Sequence, residues 1–190
     1  GYEIVDEYMS YHFGKVANYK QNFLILEQQV AEPIEWQQWI EPFIDDRLVM
    51  AWIADLEYDY WQNAEDPLEY EVKGRDYSHL PMKSNGLPPP VEQTIIDTSN
   101  NPGRWLFHVG YIEVVGSTMW FGPKFWEKTP GQREAIEAKY RCSQMGEMLK
   151  VVFSESCFCD ESTAPLQNEI RDLLFPRKSF VSRVTDWVSG

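Results

Sequence analysis

Basic residues are the scarce class in this chain: 17 Lys and Arg stand against 30 Asp and Glu, for a formal net charge of -13 over 190 residues. Binding along a phosphate backbone needs a basic surface that releases counterions. The balance therefore argues against a nucleic-acid or anionic-membrane ligand and toward a basic partner. An acidic balance also serves solubility alone, which is the blander explanation. Cysteine is sparse as well. Cys142, Cys157 and Cys159 cannot all pair internally, and a disulfide-stapled secreted domain carries a denser, even set, so a reduced cytoplasmic protein is the expectation. No apolar run reaches membrane-spanning length, and no basic n-region with an apolar core opens the chain. Gly1 stands in place of Met, which points to a trimmed start and is compatible with a leader removed before it.

Complete catalytic signatures are missing too. His12, His79 and His108 lie far apart with no Gly-x-Ser-x-Gly nucleophile motif. Gly110, Gly116 and Gly122 are evenly spaced, but no Lys-Ser or Lys-Thr follows, so turn and bulge glycines explain them. Cys157-Phe158-Cys159 has too short a spacer for a zinc ligand pair, and no cofactor is expected. One partial enzymatic element remains. Glu71-Val72-Lys73, with Asp59 or Asp55 upstream, has the acid-x-Lys form used by metal-dependent nucleases, where two acids hold a divalent ion and a Lys stands near the attacking water. A negative field around it would repel substrate phosphate.

What the chain does have is apolar material, with 43% hydrophobic and 15% aromatic residues, enough to offset the entropy of ordering. One domain over residues 1–190 with a single core is the expectation. A short strand fits Glu3 to Val5. Val16, Tyr19, Phe23, Leu26 and Val30 alternate steps of three and four, which predicts an amphipathic helix. A second helix runs through Trp36, Trp39 and Ile40, with Pro33 in its first turn and Pro42 breaking it, and a third through Val49, Trp52, Ile53, Leu56 and Tyr60.

Pro67 to Asn101 reads as a long ordered loop. A strand at Glu92 to Thr98 would form a hairpin with the β-rich run Arg104 to Val115. Further strands are expected at Met119 to Gly122 and Met148 to Ser154. Helices are expected around Arg133, Ile136 and Tyr140, and through Leu166, Ile170, Leu173 and Leu174 up to Pro176. The tail Phe180 to Val188 suits either helix or strand. The class is α+β: an antiparallel sheet of four or more strands, packed with an N-terminal helical layer and a C-terminal helix.

The segment Leu48 to Val72 contains no Lys or Arg but carries Asp55, Glu57, Asp59, Glu65, Asp66, Glu69 and Glu71, interleaved with Trp52, Tyr58, Tyr60, Trp61 and Tyr70. Each carboxylate alone is explained by a solvated helix surface. Together with large rigid aromatics they suit a face that grips a basic protein. Trp52, Tyr58, Tyr60 and Trp61 are the candidate anchors. Trp105, Trp120, Phe121, Phe125 and Trp126 read instead as core.

Gly110-Tyr111-Ile112-Glu113-Val114-Val115, followed by Met119-Trp120-Phe121-Gly122-Pro123-Lys124-Phe125-Trp126, resembles the Trp-bearing strand and aromatic segment of bacterial polymorphic-toxin immunity proteins, most nearly the immunity protein 52 group. The likeness covers Arg104 to Thr129 and, more loosely, the helix-then-sheet order of the whole chain. It implies a non-catalytic α+β protein that binds and neutralises a cognate secreted toxin, a nuclease of the restriction-endonuclease-like class, in the setting of type VI secretion. The alternatives are a metal-dependent nuclease or hydrolase using Asp59, Glu71 and Lys73, and an acidic regulatory domain with another basic partner.

Overall fold

The computed structural model describes residues 1–28, 35–40, 42 and 47–177. Strands β1 (Tyr2–Val5), β2 (Met9–Val16) and β3 (Gln21–Gln28) form an antiparallel meander, followed by helix α1 (Trp36–Ile40). After β4 (Met50–Ile53) come two helices, α2 (Leu56–Asn63) and α3 (Pro67–Val72), then the paired short strands β5 (Met82–Ser84) and β6 (Thr94–Ile96). The hairpin β7 (Leu106–His108) and β8 (Tyr111–Glu113) precedes β9 (Thr118–Phe121), α4 (Pro123–Lys128) and α5 (Arg133–Lys139). The described chain ends with the hairpin β10 (Arg141–Met145) and β11 (Met148–Val152) and the helix α6 (Ala164–Leu174).

The centre is an antiparallel four-stranded sheet in the order β10-β11-β9-β4, which with the surrounding helices makes the chain α+β. Met119, Trp120 and Phe121 of β9 are buried, and Met119 and Phe121 join Phe125, Ile136, Leu149, Val151, Ile170 and Leu174 in one hydrophobic cluster. A smaller cluster of Ala64, Tyr70 and Ile96 sits under Trp61, Tyr77 and Leu80. Among the described residues no helix is long and apolar enough to cross a membrane.

Strands β9 and β11 and helices α5 and α6 stand where the sequence places them, and the first strand holds at Tyr2–Val5. Of the expected N-terminal helical layer, the second helix stands as α1 (Trp36–Ile40) and the first does not. Val16, Tyr19, Phe23 and Leu26 fall on two strands and the turn joining them, because the two-residue alternation of Met9, Tyr11 and Phe13 pairs across to Leu26 and Leu24. Lys20 takes φ 53 at the turn, which ends any helical continuation. Val30, Pro33 and Phe180 to Val188 lie outside the described residues.

The expected helix from Val49 to Tyr60 is split. Met50–Ile53 pairs with β9, and Asp55 then caps a new helix by accepting the Tyr58 amide at 2.8 Å. The strand at 94–96 pairs with β5 rather than with the 104–115 run, which folds back on itself across Gly110 at φ 89. The expected loop from Pro67 to Asn101 thus contains α3 and the β5–β6 pair.

Gly116 precedes β9, and a Cβ there would lie 2.7 Å from the Ile53 carbonyl oxygen and 2.9 Å from Trp52 Cβ. Gly116→Ala is therefore expected to cost about 1–3 kcal/mol in urea unfolding, whereas Val72→Ala on the exposed side of α3 stays within about 0.5 kcal/mol. A neutral Gly116→Ala would contradict this packing.

Candidate functional site

Register brings together two segments far apart in sequence. Ile53 at the end of β4 and Val152 at the end of β11 both lie opposite Thr118. Ser117, just before β9, donates its amide to Ile53 O at 3.3 Å and accepts from the Phe153 and Ser154 amides at 2.8 and 3.1 Å. The chain following β4 and the chain following β11 thus leave the sheet at the same end. There they line a cleft of about 450 Å³.

Helix α2 supplies Asp55, Glu57, Tyr58, Trp61 and Gln62, and the later segment supplies Cys159, Asp160 and Glu161. Asp160 caps a 3₁₀ turn at Glu161–Thr163 by accepting the Ser162 amide at 2.8 Å, and its bonds from Ser162 hold it below the usual carboxylate range. Tyr58 is fixed by Gln167 of α6, whose Nε2 donates to the phenol oxygen at 2.9 Å. Burial raises the Tyr58 phenol, so it stays a neutral hydrogen-bonding group. Among the described residues one cation lies among these carboxylates. The Arg75 guanidinium sits 4.7 Å from the Trp61 ring centroid, a cation–π contact on the cleft wall.

The remaining sequence candidates lie elsewhere around this helix pair. Trp52 is half-buried on β4, edge-on to Trp105 at 5.5 Å. Glu65 is held by Lys83 Nζ at 2.8 Å and Thr98 Oγ1 at 3.1 Å, and it bridges α3 to the β5–β6 pair. Asp66 caps α3 through the Leu68 amide at 2.9 Å, with Pro67 in the first turn. Tyr60 stands edge-on to Trp61 at 5.0 Å and hydrogen-bonds Glu69, and Glu71 accepts from the Tyr77 hydroxyl at 2.7 Å.

Asp59 and Glu71, the acids of the metal-site alternative, are thus held by different partners, and Lys73 caps the end of α3. Among the described residues no three His, Cys, Asp or Glu side chains gather where a metal ion could sit. Sequence reasoning missed Arg75, Cys159, Asp160 and Glu161. The acidic pair after Cys159 was a visible signal, but only strand register connects it to α2.

Asp59 faces inward. The Trp105 indole N–H donates to its Oδ1 at 2.9 Å, while Asn63 Oδ1 accepts the Trp105 amide at 2.7 Å, so one helix grips both N–H groups of one tryptophan. Desolvation by burial pushes Asp59 up to about 6; the Trp105 bond opposes this and the charge of Asp55 adds to it. A carboxyl whose folded pKa is raised binds protons better folded than unfolded. Its contribution to stability is full below about 3.8 and is lost as pH rises through about 6. Asp59→Asn keeps an acceptor for the indole and removes the titration. It is expected to match the wild type near pH 4 and to exceed it near pH 7 by up to about 3 kcal/mol in urea unfolding. An equal difference at both pH values would count against a titrating Asp59.

No family model matches the chain, and no curated protein or solved structure matches it.

Proposed function

We propose that this chain is a non-catalytic immunity-type protein that neutralises a cognate toxin, a basic nuclease domain, through the cleft between α2 and the segment following β11. The observation that carries the reading is the convergence of Asp55, Glu57, Asp160 and Glu161 beside the aromatic faces of Tyr58 and Trp61, with Arg75 as the cation among them. Carboxylates raise the encounter rate with a cationic surface, and rigid aromatics set the residence time once water is excluded. The likeness of Arg104 to Thr129 to immunity protein 52 supplies the setting: a toxin made beside its inhibitor, and a producer that stays in its own cytoplasm unharmed.

In this reading an arginine or lysine of the toxin enters the cleft and takes over the position of Arg75 on Trp61. The exchange of one cation for another keeps the desolvation cost low. Blocking the toxin's own basic groove then denies it DNA.

Co-expression with the product of the adjacent gene is the test, read as host survival and co-purification. Rescue with a stable complex is expected. Glu57 and Glu161 are exposed and cap nothing, so Glu57→Lys with Glu161→Lys should leave the fold intact and slow association roughly tenfold or more at low salt. A tight complex with little salt dependence, unmoved by this double reversal, would refute the placement.

A further inference from the structure

A second cleft, of about 260 Å³, carries the opposite charge. Its lining includes Arg104, Arg171 and Arg177, with Asn168 and the carboxylates Glu113 and Asp172. Among the described residues of the lining, three guanidiniums against two carboxylates leave a positive excess, in a chain whose net charge is -13.

The excess is built into the fold. Arg104 and Arg171 are only 5% and 4% exposed, and a buried cation is costly unless matched by an anion and hydrogen bonds. Both turn to one carboxylate: Glu113 Oε1 lies 2.9 Å from Arg171 Nη1 and 4.0 Å from Arg104 Nη2. His108 Nε2 stands 3.4 Å from the other oxygen of Glu113. Arg171 also donates from Nη2 to the carbonyls of Pro102 at 2.9 Å and Arg104 at 2.8 Å. Arg104 donates from Nη1 to Asn101 O at 2.7 Å.

A guanidinium offers five N–H donors, and the Nε atoms of both arginines have no hydrogen-bond partner among the described residues. Burial, together with the neighbouring Arg104, pushes Arg171 down to about 10, the direction expected of two cations short of counter-charge.

We infer that this cleft binds one small oxyanion, a phosphate or carboxylate group, which supplies the counter-charge that Glu113 divides between Arg104 and Arg171. Arg177 and Asn168 are exposed at the same lining and add donors from the solvent side. The volume equals roughly eight or nine waters, enough for one such group with its hydration and too small for a polymer. This site stands apart from the acidic cleft in sign and in residues, and it does not rest on the toxin-binding reading.

The test is calorimetric titration of the full chain with inorganic phosphate and, separately, with acetate, at ionic strength held constant with sodium chloride. Melting temperature is followed in parallel. One saturable site and a rise in Tm are expected with at least one anion. Tighter phosphate assigns a phosphoryl ligand, and tighter acetate a carboxylate.

Arg177→Glu and Asn168→Asp, both on exposed side chains, should each weaken binding tenfold or more. Each should leave the melting temperature without anion near that of the wild type. Should neither anion act beyond the chloride baseline, or both variants bind as the wild type does, the site is overturned.

Discussion

The register of one short strand governs how this molecule presents its chemistry. Among the described residues β9 is the only neighbour that β4 has in the sheet, and it separates β4 from β11, so Thr118 lies opposite Ile53 on one side and Val152 on the other. Because both neighbours run antiparallel to β9, they run parallel to each other, and their continuations emerge at one end of the sheet. Ser117 fastens both continuations with backbone hydrogen bonds. A slip of one residue would invert every side chain of β9 and separate Asp55 from Asp160, so the hydrophobic demand of Met119 and Phe121 also sets the electrostatics of the cleft.

Polar groups inside this fold are placed at a cost that the surrounding bonds offset. Trp105 is held by Asp59 and Asn63, Tyr58 by Gln167, and the 102–104 turn by Arg171. The stripe of α6 that packs inward carries Gln167 and Arg171 alongside Ile170 and Leu174, an arrangement that hydrophobicity alone would not favour. Each of these polar groups ties α6 to a segment far away in sequence, which specifies one arrangement of the layers where an all-apolar stripe would tolerate several.

Two strands of the central sheet, β9 and β11, and the C-terminal helix were legible because each carries a dense apolar pattern; β4 reads as helix from sequence, and β10 carries no apolar run. Most of the N-terminal third was not, apart from β1 and α1. Val16, Tyr19, Phe23 and Leu26 match a helical spacing by coincidence, while the alternation at Met9, Tyr11 and Phe13 that wins is satisfied only by pairing with β3. Val49 to Tyr60 misled for a different reason: a half-buried strand and the start of a helix follow each other with apolar residues at steps of three and four, and the cap at Asp55 is the one local sign of the boundary. Half of the candidate site was legible as an acidic aromatic segment. The other half, Asp160 and Glu161, becomes part of it only through a long-range pairing that no local pattern reports.

The carboxylates of the cleft belong to two unlike groups. Asp55 and Asp160 each cap a helical turn, so their replacement would loosen the scaffold. Glu57 and Glu161, close to them in sequence, are exposed, and neither is the cap of its turn. Mutation can therefore redraw the charge pattern of this rim one side chain at a time while the core keeps its free energy. A lineage can drift in what the cleft prefers without drifting in whether it folds.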